Sequence, residues 1–535
     1  MNLGFLSGDA ARASGELLVI PLFEGELGAS GAAAALAQVD TALDGVLREA
    51  ATQEGFKGKA EQSLVLHTHG KLKVGRVLLL GLGAPARFTP EVLRLAAGRA
   101  AKTALRLKAA QLTLALPAAA EPREACVQAV AEGLVLGAYR FDRYKTQGRD
   151  AQGLATVRVL LPEGVEKDRA LQAALDHGVR VAEATNWARD LVNEPPNVVN
   201  PTRLAEAAQE AAREGGLKAT IGGRREIERM KMGMFLGVTQ GSAEEPRLIQ
   251  VSYVPKDPTA AKRAPLALVG KAITFDSGGL SLKTAEGMVD MKTDMAGSAA
   301  VLGAMKVIAQ LKPPFPVHAF IGACENMPSG TAYRPGDVLT SRLGKTVEIT
   351  NTDAEGRLVL GDILTWAAEH QPAQIVDLAT LTGACIVALG NYIVGAFGDD
   401  EGAMEAVLSA AWSAGEELWR MPIHELQKDA LRSEIADMKN SGERWGGAIN
   451  AAHFLREFVG ETPWVHLDIA GPSQSPKERG YHGKGATGVG VRTLVELVRR
   501  RTSELESELG EPGAGGTQAP ARAKGKKGAR AGRSA

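Results

Sequence analysis

The stretch "LVGKAITFDSGGLSLKTAEGMVDMKTDMAGSAAVLGAM", residues 268–305, sets the fold class of this chain. An apolar run reaches Asp276, and Gly278 and Gly279 then permit a tight turn. Small and apolar residues at helical spacing follow in "GSAAVLGAMKVIAQL" (297–311). Strand, turn and helix in succession are the unit of an α/β layer. "APLALVGKAITF" (264–275) shows no polar alternation, which predicts a strand buried on both faces. Lys271 and Asp276 bracket its end, where open α/β sheets place their sites.

The same alternation extends outward. "PVHAFIGACE" (316–325), "QIVDLATLTG" (374–383) and "PWVHLDIAG" (463–471) read as further buried strands, and "VLGDILTWAAEHQ" (359–371) as a helix. Together they predict a larger domain over 194–502, a mixed sheet flanked by helices. Ahead of it, residues 166–193 carry apolar residues at helical spacing until "NEPPNVVNP" stops them, because proline cannot continue a helix. This helix is expected to connect two domains. Residues 1–165 alternate strand-like runs such as "ELLVIPLF" and "RVLLLGLG" with helical "EVLRLAAGRAAKTALRLKAA", a smaller α/β domain. "LLLGLGAP" lacks the full Gly-x-Gly-x-x-Gly spacing and reads as a strand-to-turn transition. Residues 503–535 lose periodicity and are rich in Gly, Ala, Pro and Lys/Arg, the composition of a disordered basic tail.

Bulk numbers narrow the function. A chain of 535 residues exceeds one ordinary core, in keeping with two domains. Lys+Arg and Asp+Glu both number 62, so neither a globally basic nucleic-acid binder nor an acidic scaffold is indicated. Three scattered cysteines, Cys126, Cys324 and Cys385, fit a reducing compartment. The first residues lack a signal-peptide pattern and no apolar run reaches membrane-spanning length, so a cytoplasmic location is expected.

A second segment, "EITNTDAEGRLVLGDIL" (348–364), sets Asp353, Glu355 and Arg357 beside residues suited to burial. Buried charge is costly without a partner. With Asp276 and Asp294 upstream, four carboxylates stand in strand-end and turn contexts. Converging alone, they would repel one another and shift toward neutral. Two divalent cations would neutralise them. An Asp-x-Glu on an extended segment would aim both carboxylates to one face, a geometry suited to bridging paired metals. An isolated Asp-x-Glu is more often a solvated turn, and oxygen-only sets also suit magnesium; the constellation carries the inference.

"NTDAEGRL" (351–358) resembles the signature of the leucyl aminopeptidase (cytosol aminopeptidase) family. "VGKAITFDSGGLSLK", "DMKTDMAGSAAV", "ENMPSGTAYRPGD", "DLVNEPPNVVNP" and "DLATLTGA" are similar to other family segments, over roughly residues 180–495. Ala272, Thr284 and Ser298 depart from common family residues without removing a charge. The resemblance implies a macro-like N-terminal α/β domain and a dinuclear exopeptidase acting on peptides with a free N-terminus. Asp276 and Glu355 would bridge two ions, Mn²⁺ or Zn²⁺, Lys271 and Asp294 would complete one site, and Asp353 the other. Lys283 and Arg357 match the catalytic positions, with a bicarbonate ion held at Arg357. Met291, Thr380 and Gly383 match side-chain-pocket segments. A homohexamer is likewise implied.

These roles make chemical sense. A ligating Lys271 must be neutral, so four carboxylates and two dications cancel, and Lys283 and Arg357 leave the pocket positive for an oxyanion. A guanidinium pairs well with a planar oxyanion. His466, in a core strand, and His482, in a glycine-rich loop, are poor candidates for a general base. Two other readings are a DNA-binding role through "ARAKGKKGARAGR", whose six basic residues lack aromatic company, and an inactive relative kept for assembly. Intact Lys283 and Arg357 argue against the latter.

Overall fold

The computed structural model describes residues 1–28, 33–147, 153–165 and 167–510. Among them the N-terminal domain is built on a six-stranded sheet in the order Asn2–Ser7, Thr156–Leu161, Gln111–Ala115, Gly15–Phe23, Val74–Gly83, Ser63–His67. Its neighbours run parallel except the last pair. Apolar side chains alternate between its two faces: Leu17 and Val19 enter one core, Leu18 and Ile20 the other. The opening strand Asn2–Ser7 and the edge strand Ser63–His67 went unread in the sequence; both are short and only partly buried.

The connector helix spans Arg169–Asn193 and starts at Asp168, whose side chain accepts a hydrogen bond from Ala170 N. Leu171 and Leu175 near its start belong to the N-terminal core, whereas Val181, Ala184 and Ala188 join the core of the larger domain. One amphipathic rod therefore anchors both domains.

The larger domain centres on an eight-stranded mixed sheet. Its middle strands, Trp464–Asp468, Gln374–Ala379, Leu266–Asp276 and Val317–Asn326, run parallel in that spatial order, and antiparallel neighbours flank them on both sides. The period of two is visible in Leu266–Asp276. Leu266, Leu268 and Ala272 face the helices Ala296–Leu311 and Val491–Gly510, while Ala267, Val269 and Ile273 face Gly356–Ala368 and Gly447–Arg456. All four parallel strands end on one rim.

The C-terminal boundary differs from expectation. Helix Val491–Gly510 runs on through "SELESELG", eight residues assigned to the disordered tail. Arg and Glu at helical spacing prolong a helix already anchored by Leu494, Val495 and Val498. The rest of the tail, 511–535, lies outside the described residues. No described helix is long and apolar enough to cross a membrane.

Two features position the rim. Gly297 lets the helix Ala296–Leu311 approach the sheet so closely that an added Cβ would stand 2.0 Å from the Leu378 carbonyl oxygen. We expect Gly297→Ala to cost about 2 kcal/mol or more in chemical denaturation, since backbone must shift to admit the methyl. The second is Asp362, fully buried in helix Gly356–Ala368, which accepts from Phe235 N at 2.9 Å and Arg342 N at 2.7 Å. Burial pushes its pKa up to about 7. Its raised folded pKa means stability is lost as pH rises from about 4, where the unfolded chain ionises, toward 7. Asp362→Asn forfeits one acceptor, so it should destabilise by about 1–2 kcal/mol at pH 5 and by less at pH 8. A gap that widened with pH would contradict this.

Candidate metal centre

The carboxyl ends of the parallel strands collect the charged residues. Leu266–Asp276 contributes Lys271 and, at its last position, Asp276. Gly278 and Gly279, both with positive φ, fold the chain back at once, and Gly278 N donates to Asp276 Oδ1 at 2.9 Å. Asp294 follows a 3-10 turn, Met291–Thr293, and precedes the helix Ala296–Leu311. Thr284, one of the family departures, caps the short helix Ala285–Met288 through Gly287 N.

Asp353 and Glu355 do converge, but not from an extended segment. Residues 351–355 form a turn, and Glu355, with helical backbone angles, opens the helix Gly356–Ala368. The expected strand geometry is therefore corrected to a turn feeding a helix N-terminus, which favours negative charge through its free N–H groups. Hydrogen bonds fix this turn to the Asp276 loop. Asn326 Nδ2 donates to both Asp276 Oδ1 (2.8 Å) and the Thr352 carbonyl (2.9 Å), and Tyr333 Oη donates to the same carbonyl at 2.8 Å. Thr352 Oγ1 donates to Gly278 O at 2.7 Å. Asn326, Thr352 and Tyr333 were not singled out in the sequence, although all three sit in segments that carried the resemblance.

Lys271 passes beneath Gly356, where a Cβ would stand 2.3 Å from its Cε. Its Nζ meets Asp294 Oδ2 at 2.8 Å, Glu355 Oε1 at 2.9 Å and the Thr380 carbonyl at 3.0 Å. Lys283 Nζ meets Asp276 Oδ2 at 2.9 Å and also pairs with Asp353. One oxygen from each of Asp276, Asp353 and Glu355 lies within 4.8 Å of the others. The donors are all hard oxygens apart from the lysine amine, and three carboxylates so close suit a divalent cation.

Burial and mutual repulsion shape the electrostatics of the cluster. Burial disfavours charge on Lys271, but Asp294, Glu355 and Asp276 outweigh it and hold the ammonium protonated beyond the ordinary lysine range. Lys283 is held up likewise. Burial lifts Asp294 well above the usual carboxylate value, although Lys271 opposes it. Glu355 is as deeply buried, yet it feels both lysines and is held below its ordinary value. Burial also raises Asp276 and Asp353. Four acids against two ammoniums leave acid in excess.

Arg357 points from the first turn of the same helix, buried, with Nη1 donating to the Asn440 carbonyl at 2.9 Å. Its Nε, also buried, makes no hydrogen bond, and burial pulls its pKa down to about 10. Of the pocket residues, Thr380 touches the centre directly: its Oγ1 donates to Asp294 Oδ1 at 2.7 Å. Met291 is half-buried beside Asp294, and Gly383 opens the helix Gly383–Leu389 with free space where a side chain would stand. His466 is sealed in the core on Asp377 at 2.6 Å, as its strand position suggested.

Known proteins resemble this chain over most of its length. Residues 186–495 match the catalytic domain of the cytosol aminopeptidase family, and residues 19–148 match that family's N-terminal domain. A probable cytosol aminopeptidase of Cyanothece sp. is 44% identical over 486 residues, 91% of this chain and 97% of its own. One from Synechococcus sp. (strain JA-3-3Ab) is 47% identical, covering 85% of this chain and 90% of its own. Among solved structures, a mutant of tomato leucine aminopeptidase superposes with TM-score 0.85 at 36% identity, covering 94% of this chain and 96% of the other. The bottromycin maturation enzyme BotP in complex with Mn gives 0.80 at 34% identity, covering 91% and 100%. This chain belongs to the cytosol aminopeptidase family and is a metal-dependent aminopeptidase, a hydrolase of peptide bonds.

Proposed function

We propose that the enzyme removes leucine and similar apolar residues from peptides with a free N-terminus, using two divalent cations held by Lys271, Asp276, Asp294, Asp353 and Glu355. The observation that carries the proposal is the convergence of four carboxylates from two distant segments around two lysines. Mn²⁺ or Zn²⁺ suits the set, and a relative of known structure is described in complex with Mn. Bound there, the cations supply a Lewis acid for the scissile carbonyl and lower the pKa of attacking water.

The chain's own residues do the rest. Lys271 would ligate through its neutral amine, and a dication held there would replace its ammonium as countercharge of Asp294 and Glu355. Lys283, less buried and turned toward Asp276 and Asp353, keeps its charge and stabilises the oxyanion of the tetrahedral intermediate. Arg357, with Nε unengaged, would hold a bicarbonate ion, which would supply a proton relay at a centre where, among the described residues, the candidate metal-ligating group contains no histidine. Cations held by these residues would also seat the free amine of the substrate, which would confine cleavage to the N-terminal residue. Met291 and Gly383 shape a flexible apolar pocket, while Thr380 steadies Asp294. A homohexamer belongs to the same proposal, and exposed Val387, Leu426 and Trp445 offer apolar surface for contacts between copies.

Leucine p-nitroanilide should be hydrolysed with added Mn²⁺, and its N-acetylated counterpart should not. Equal cleavage of both would defeat the exopeptidase assignment. Asp294→Ala should lose bound metal in elemental analysis. Lys283→Ala should retain metal and lose about 10²–10³ in kcat; full activity in that variant would remove Lys283 from the oxyanion role.

A further inference from the structure

A cavity of about 980 Å³ lies at the seam between the two domains. Glu91 and Leu95 of the N-terminal domain form one wall, and Leu408, Leu418 and Val489 of the larger domain form another. None of the seven charged residues of the metal centre lines it, nor do Met291, Thr380 and Gly383. Its size, its place between domains and its apolar walls are those of a small-molecule site. At the mouth stand Trp412 and Trp419, 78% and 64% exposed, an unusual state for indoles.

The charges on the lining divide into two groups. Glu91 is engaged by Arg94 and Tyr481, Glu416 by Gly490 N and Thr493 Oγ1, and Arg492 donates to Tyr481 Oη at 2.8 Å. These groups are committed to one another, and the Tyr481 hydroxyl on Glu91 joins the two domains. Arg479 and Glu417 differ: both are exposed, and among the described residues neither makes an ion pair. The Arg479 guanidinium lies 5.0 Å above the Tyr392 ring, a placement that leaves its forked N–H edge available. One uncommitted cation, one uncommitted anion and an apolar, aromatic wall match a zwitterion with an apolar side chain.

We propose that this cavity binds a free α-amino acid with a large apolar side chain, its carboxylate on Arg479, its ammonium on Glu417 and its side chain against Trp412 and Trp419. Such molecules are what an aminopeptidase with apolar preference releases, so the site would sense product. The proposal rests on the proposed function only for the source of its ligand. The cavity also adjoins the catalytic rim through the chain: Asn391–Ile393 follow the helix Gly383–Leu389, and Pro472 follows the strand ending at Asp468.

The test is titration of L-phenylalanine into the metal-loaded, full-length enzyme, followed by tryptophan fluorescence. A saturable change is expected, absent with glycine. Arg479→Ala combined with Glu417→Gln should weaken it at least about tenfold while leucine p-nitroanilide hydrolysis is unchanged. Asp353→Asn, which disables the metal centre, should leave the response in place. A response that survives the double substitution, or vanishes in Asp353→Asn, places the ligand at the metal centre and overturns the cavity proposal without touching the aminopeptidase assignment. Absence of any saturable response also overturns it.

Discussion

Four carboxylates brought together in a buried pocket impose the constraint that organises the larger domain. Their repulsion and desolvation must be met by positive charge, and the protein supplies part of it with Lys271 and Lys283. Glycines make the approach possible. Lys271 fits only because Gly356 lacks a side chain, and the helix that follows Asp294 draws near only because Gly297 lacks one too. The stability of this region is thus tied to cations, and an enzyme whose acids exceed its ammoniums is poised to exchange them for divalent metal.

Neutral groups hold the charged ones in place. Asn326, Tyr333 and Thr352 bind the Asp353 turn to the Asp276 loop, and Asn440 braces Arg357. Two donors on one carbonyl give the turn little freedom, which helps hold the oxygens of Asp276, Asp353 and Glu355 within 4.8 Å of one another. Pre-ordering of this kind lowers the cost of binding and fixes the coordination geometry. The helix N-terminus beneath Glu355 adds a favourable field.

The two domains share one rod and one seam. Helix Arg169–Asn193 enters both cores. At the seam, buried Arg94 pairs with Glu132, and Lys102 of the N-terminal domain donates to the His482 carbonyl of the loop that leaves the catalytic rim. A ligand lodged there would press on both domains at once.

Much of this was legible in the chain. Largely apolar runs closing on Asp276, Glu325, Gly383 and Gly471 marked the parallel strands, helical spacing over 166–193 marked the connector whose helix begins at Arg169, and the two motif segments named the charged residues that converge. Such signals are local, carried by period and by residue type. What the sequence could not supply was the contact between segments far apart: that Asn326 ties Asp276 to Thr352, that Thr380 touches Asp294, or that residues 351–355 turn rather than extend. Those follow from strand order and helix approach, which depend on glycine clearances and shared hydrogen bonds among residues distant in sequence. The helical start of the tail was hidden for a like reason, since its first residues read as polar linker and only their attachment to an anchored helix extends it to Gly510.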